Sequence, residues 1–328
     1  MKKILFWGSR LLAIALLLSS LAFVFPAWFY ALDLLQSFAV HALVGYVLLL
    51  GLFILIQAKR LAMGAGGAAT VLLLGLHSYI MPPAPPATAD GPAFTVAHFN
   101  VLASNRQYDP VIEQALASEA DLLSFQEVAP HWADQLTARL RDAYPYYRVV
   151  TDPWDTRGIA IFSRYPLQNV QTHYWVKSPN ITGDIDLSGR VKQGESTRVN
   201  QRSDTIIHFV ASHMLSPRSE SRYRRRNRQI QHITDYLTSI NGPVLAIGDY
   251  NAVPWNPSIV AMRQEAQVYD SRQNFTSTYP ARLRGGGLPI DYVFHSEDFT
   301  CLDFYAVSAE GSDHRGVVGR YRLRPSIL

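Results

Sequence analysis

The sequence predicts a mixed α/β domain with helices outside its sheets, preceded by an all-α anchor of three transmembrane helices. Three observations carry this. Three uncharged apolar stretches of about twenty residues fill the first eighty positions. A Pro-rich segment follows them. The rest of the chain alternates short apolar strands with amphipathic helical stretches, strands outnumbering helices. The 328 residues are 48% hydrophobic, which excludes disorder over most of the chain. The single cysteine, Cys301, excludes an intrachain disulfide and a multi-cysteine zinc site.

The apolar stretches are Leu11–Tyr30, Phe38–Ile56 and Leu61–Ile80. Each is long enough to cross a hydrocarbon core of about 30 Å. Lys2 and Lys3 ahead of the first would also suit a cleaved signal peptide, but two further spans follow at once and no small-x-small site precedes them. Gly64, Gly66, Gly67 and Gly75 would weaken a buried helix in water and suit close helix approach in a membrane. Lys2, Lys3 and Arg10 flank the first span, and Lys59 and Arg60 separate the second from the third. With three spans all five fall on one side, which predicts a cytoplasmic N-terminus and an extracytoplasmic domain after Ile80, on an inner or plasma membrane. Trp28, Tyr30 and Tyr79 then lie at the outer interface. The predicted organisation is an anchor at 1–81, a stiff Pro-rich linker at 82–92 and one domain at 93–328. Of the net charge of +4, +3 lies in residues 1–90. The domain is nearly neutral, which excludes a uniformly basic nucleic-acid-coating module.

Within the domain, Phe94–Phe99 reads as a strand and Pro110–Ala120 as a helix with Asp109 as N-cap. Leu122–Phe125 reads as a short buried strand and His131–Leu140 as a helix. Ile159–Phe162, Thr205–Ala211, Val244–Ile247, Ile290–Phe294 and Val317–Tyr321 read as strands, and Ser219–Ile240 as a long helix.

Polar clusters recur at the strand ends: His98-Phe-Asn100, Ser124-Phe-Gln-Glu127, Ala211-Ser-His213, Gly248-Asp-Tyr-Asn251, Asp291-Tyr292 and Ser312-Asp-His314. A helix separates Asn100 from Glu127, so a crossover would bring both to one sheet edge, an oxygen pair suited to Mg²⁺ or Mn²⁺. Asp249 and Asn251, two apart, would face one way, although Asp-x-Asn also forms ordinary Asx turns. Asp291 would hold an imidazole in one tautomer. No serine sits in a Gly-x-Ser-x-Gly elbow.

This ordered set resembles the endonuclease/exonuclease/phosphatase superfamily with its DNase I-like fold, over Phe94 to about Arg322. The resemblance implies a two-sheet α/β sandwich with its site at one rim, and metal-dependent phosphoester hydrolysis with Mg²⁺ or Mn²⁺. It implies metal ligation by Glu127 with Asn100 beside it and Asp313 as a further contact. It makes Asp249 and Asn251 the groups that orient water and phosphate, and His314 with Asp291 the acid/base or charge-stabilising pair. It makes His213 a phosphate-contacting imidazole. His213 argues against the abasic-site endonuclease branch.

The expected substrate is a phosphodiester, with nucleic acid favoured over lipid because Arg222-Tyr-Arg-Arg-Arg-Asn-Arg228 could grip a backbone. A solvated helix face is the bland alternative for that run. Gly285-Gly-Gly287 reads as a flexible loop before Asp291, with a place bordering the substrate as the alternative, and Trp154, Trp175 and Trp255 read as core or rim packing, with base-stacking or lipid-facing roles as the alternative. The alternatives are a lipid-head-group phosphodiesterase or phosphatase, favoured by the anchor, and a non-catalytic binding module. Partners beyond substrate and bilayer are not expected.

Overall fold

The computed structural model describes residues 2–25, 29–81, 93–152, 155–188 and 206–324. The linker 82–92, Trp28 and Trp154 lie outside the described residues. The chain divides into two compact units, residues 1–82 with Trp255–Pro257, and the remainder.

The first unit is helical: α1 (Lys2–Leu21), α2 (Tyr30–Gln36), α3 (Ala39–Leu55) and α4 (Lys59–Ile80). Among the described residues two helices are long and apolar enough to cross a membrane, with windows Trp7–Val24 and Lys59–Ile80. A third span arises if α2 and α3, bent by 59° at their break, count as one. The first helix departs from the expected 11–30 span. It ends at Leu21 and carries Arg10 inside it, the guanidinium lying over the Trp7 ring. Gly64 of α4 marks a close backbone crossing: a Cβ there would stand 2.5 Å from the Ala13 carbonyl oxygen. Ala65, Ala68 and Leu72 are buried on the same helix, as expected where small residues let helices approach.

The second unit holds two sheets. The first is ordered β11 (Phe299–Val307), β12 (Gly316–Leu323), β1 (Ala93–Asn100), β2 (Leu122–Gln126), β4 (Asp155–Ser163), β3 (Tyr146–Asp152). The second is ordered β5 (Leu167–Trp175), β6 (Ser178–Asp186), β7 (Ile206–Ser212), β8 (Val244–Asp249), β10 (Asp291–His295), β9 (Tyr269–Asp270). Both are mixed: β1 runs parallel to β2 and β7 parallel to β8, and their other pairings are antiparallel. Helices α5 (Tyr108–Ala117) and α6 (Pro130–Leu140) cover the first sheet, and α7 (Glu220–Thr238) and α8 (Pro257–Glu265) the second. This is the two-sheet α/β sandwich of DNase I-like proteins. The expected Asp109 cap is corrected: α5 begins at Tyr108, and Asp109 sits in its first turn, paired with Arg139. Ser219 caps α7, its Oγ accepting from the Arg222 amide.

Strand alternation sorts the core. Phe94 and Val96 of β1, Leu122 of β2, Ile207 and Phe209 of β7, Leu245 and Ile247 of β8 and Val293 of β10 meet between the sheets. Their neighbours Ala97, Phe99, Leu123 and Phe125 pack under α5 and α6, and Val244, Ala246, Tyr292 and Phe294 under α7 and α8. Period two therefore directs His98, Asn100, Ser124, Gln126, Asp249 and Asp291 into the space between the sheets.

Candidate active site

At one end of the sandwich the inner rows change from apolar to polar. Parallel pairing sets Asn100 of β1 opposite Gln126 of β2. Antiparallel pairing sets Asp249, the last residue of β8, opposite Asp291, the first of β10. The two acids come from opposite strand directions and meet on the same face.

Gln126 joins the sheets. Its Oε1 accepts from the Asp249 amide at 2.9 Å, and its Nε2 donates to the Ser212 carbonyl. Gly248 leaves the room: at φ 145°, a Cβ there would stand 1.9 Å from the Ser212 oxygen and 2.2 Å from Gln126 Nε2. This is the physical reason for glycine before the aspartate.

Asp291 is fully buried between two imidazoles. His314 Nδ1 lies 2.9 Å from its Oδ2, and His98 Nε2 lies 3.2 Å from its Oδ1. Burial alone would raise the carboxyl, but His314 and His98 outweigh it and hold it well below the usual carboxylate range. The converse holds at His314: burial opposes its charge, yet Asp291 and then Asp249 push its pKa up to about 10. His314 Nε2 and His213 Nε2 each stand 3.7 Å from Asp249 Oδ2. Burial raises Asp249 well above its ordinary value, with His314 offsetting only part. Burial lowers His213, whose Nδ1 has no hydrogen-bond partner among the described residues.

Glu127 and Asn251 break the strand alternation with left-handed backbone, φ 60° and 47°. Glu127 is thereby turned to accept from Asn100 Nδ2 through Oε1 and from the Ala103 amide through Oε2, each at 3.2 Å. Asn251 donates its amide to Asp249 Oδ1 at 2.8 Å and its Nδ2 to Asp249 Oδ2 at 3.0 Å, so Asp-x-Asn is an Asx turn placed within the site. Asn100 turns Nδ2, not its oxygen, toward the acids, and Oδ1 accepts from the Leu102 amide. An oxygen ligand from Asn100 requires the opposite amide orientation. Asp313 is exposed and lies outside the buried group. Ser312 Oγ donates to the Asn100 carbonyl at 2.7 Å and accepts from the His314 amide, fixing the loop that carries His314.

Of the residues expected from sequence, the structure brings together Asn100, Glu127, His213, Asp249, Asn251, Asp291 and His314. His98 and Gln126 join them without having been assigned a part. Their signal was present, since both share the inward parity of Asn100. Arg226 of the basic run is buried and donates to the Asn251 carbonyl at 3.0 Å. Arg224 pairs with Glu220, and Arg225 donates to the Val176 carbonyl.

Asp249, Asp291 and His314 offer ligand atoms within 4.8 Å of one another, a group able to hold a metal ion. The donor chemistry fits a hard divalent cation: each Glu127 oxygen takes one N–H bond, leaving lone pairs, and the buried Asp249 carboxyl lacks full compensation of its charge.

A family described as the Endonuclease/Exonuclease/phosphatase family matches residues 97–314. No curated protein matches the sequence. Among solved structures, D. rerio TDP2 complexed with single strand DNA product is similar at TM-score 0.56 and 14% identity, over 70% of this chain and 99% of that one. The human nocturnin catalytic domain is similar at 0.51 and 18%, over 72% and 96%. An endonuclease/exonuclease/phosphatase from Beutenbergia cavernae is similar at 0.53 and 19%, over 71% and 72%. At these identities the likeness is one of fold.

Proposed function

The chain belongs to the Endonuclease/Exonuclease/phosphatase family, and from that premise we propose that it is a membrane-anchored, divalent-metal-dependent phosphodiesterase acting on nucleic acid. The observation that carries the reading is the buried Asp291 carboxylate held between His98 and His314, with Asp249 3.7 Å from His314.

Glu127, with Asn100 beside it, would hold Mg²⁺ or Mn²⁺, which supplies charge neutralisation at the phosphate. Asp249, its pKa raised, is the stronger base of the two buried aspartates. It takes the proton of the attacking water as the new P–O bond forms, while Asn251 fixes its orientation. His314, protonated through Asp291, gives a proton to the leaving oxygen as the old P–O bond breaks. His213, neutral and buried, contacts a phosphate oxygen. Asp313, exposed, is at most a peripheral metal contact. Asp313 aside, each site residue expected from sequence is given a part in this scheme.

The anchor reading rests on the two to three apolar helices and on the five basic residues at their predicted cytoplasmic ends. It also supports a second substrate, a lipid head group, because a tethered site works near a bilayer. The test is hydrolysis of DNA, RNA, sphingomyelin and phosphoinositides by the full chain with Mg²⁺ or Mn²⁺. DNA or RNA cleavage that stops in excess chelator and in Glu127→Gln is expected. Turnover of lipid alone transfers the reading to the head-group phosphodiesterase, and full activity in chelator refutes it.

A further inference from the structure

Beside the site stands a basic arm that the proposed chemistry does not use. From Ser271 to Ile290 the chain carries Arg272, Arg282 and Arg284 and no acidic residue. Arg272 is buried, bonding Asp270 at 2.7 Å and the Pro289 carbonyl at 3.1 Å. Arg282, Leu283 and Arg284 are exposed, and neither guanidinium has an ion-pair partner among the described residues.

The arm contains hydrogen-bonded turns within the loop expected at Gly285–Gly287. Tyr279 bridges Leu288 at its base. Inside it, the Leu283 amide donates to the Pro280 carbonyl and the Gly286 amide to the Leu283 carbonyl, both at 3.0 Å. Gly285 has φ 75°, and a Cβ on Gly287 would stand 2.4 Å from the Tyr279 oxygen. The base rests on the reaction centre. The Tyr279 ring centroid is 4.8 Å from that of His314, the Ala281 amide donates to the Asp313 carbonyl at 2.7 Å, and Thr278 Oγ1 accepts from the Asp291 amide at 3.3 Å. Arg315 follows His314 directly and donates to the Ser277 and Ala306 carbonyls. Arg282 and Arg284 thus stand exposed on a turn that is tied at its base to the loop carrying Asp313 and His314. Such a pair attracts an anion, and guanidinium bonds phosphate oxygens in pairs.

We propose that Arg282 and Arg284 form a second phosphate subsite that takes a phosphate next to the scissile one, so that the preferred substrate carries at least two phosphates in series, as an oligonucleotide strand does. The inference rests on the phosphodiesterase reading and names its substrate class.

The test uses the full chain in neutral detergent with Mg²⁺. Its substrates are a dinucleotide with one phosphodiester and the same dinucleotide with an added terminal phosphate. The wild type should prefer the second by at least about tenfold in kcat/KM, the worth of one or two charge-assisted bonds. In Arg282→Gln with Arg284→Gln the preference should fall to about one, and the salt slope for a longer single strand should flatten by about 1.4. An unchanged preference overturns the subsite. If the wild type cleaves no phosphodiester, the function reading fails, and the subsite is judged by anisotropy of a labelled, terminally phosphorylated dinucleotide: equal affinity with and without the arginines overturns it, and a loss of about tenfold supports it. An arginine effect seen only in nanodiscs containing anionic phosphatidylglycerol, and not in neutral phosphatidylcholine ones, overturns it in favour of a bilayer contact.

Discussion

Replacing Gln126 with leucine should weaken the whole sandwich, although the side-chain volume barely changes. Gln126 is fully buried, and its amide satisfies the Ser212 carbonyl and the Asp249 amide of the facing sheet. Leucine keeps the packing and leaves both backbone groups without partners between the sheets. Each costs about 1–3 kcal/mol, so the substitution should destabilise by about 2–6 kcal/mol. At the middle of that range, for a domain of this size, Tm falls by about 8–16 °C. The assay is thermal unfolding of the full chain followed by near-UV circular dichroism, with Gln126→Glu alongside. The glutamate retains the acceptor for Asp249 but at neutral pH offers no donor to Ser212, so it should be at least as damaging as leucine. A leucine variant that melts with the wild type would refute the claim that these two bonds hold the sheets together at the site.

Three further outcomes follow from the same geometry. His314→Ala should cost most of the activity and Asp291→Ala little more on top of it, because the pair acts as one unit; two large multiplicative losses in kcat/KM would separate them. Gly64→Val should disturb α1–α4 packing, since its side chain has only the Ala13 backbone to meet, and cysteine cross-linking between those helices should fall while Gly66→Val, nearest Leu50 side-chain atoms, leaves it intact. His295, buried against Tyr269, Phe299 and Tyr321, has its pKa lowered by burial from 6.5, so it folds neutral. Above that pH both states are neutral and it costs nothing; as pH falls through 6.5 the unfolded chain takes the proton first and stability drops until the folded pKa is reached. His295→Phe should lose less stability than wild type between about pH 8 and about pH 5, measured by urea unfolding, and equal losses would contradict this.

The central strands were legible because each is a short apolar run ending in a polar cluster, as in Val244–Ile247 before Gly248-Asp249. Strand β5, Leu-Gln-Asn-Val-Gln-Thr-His-Tyr-Trp, was not, because it is an edge strand with no buried face to impose alternation. Strands β3, β6 and β11 and helix α8 were missed as well; Asp184 and Asp303 interrupt the apolar rhythm of β6 and β11. The acids and imidazoles of the site were named from their clusters. His98 and Gln126 stood in those clusters but were given no part, because their work is to bond across to the other sheet, and only the pairing of two sheets discloses who stands opposite. The same limit hid the inward turn of Arg226, one arginine among five in a seven-residue run.

The Asp249–Asp291 register has one more consequence. Slipping β10 by a single residue against β8 would carry Asp291 out from between the sheets and send Tyr292 and Phe294 in. A misaligned sheet would therefore lose its core and its chemistry in the same step. Any molecule that turns over substrate has passed an alignment check, and active-site titration of a preparation counts its correctly registered fraction.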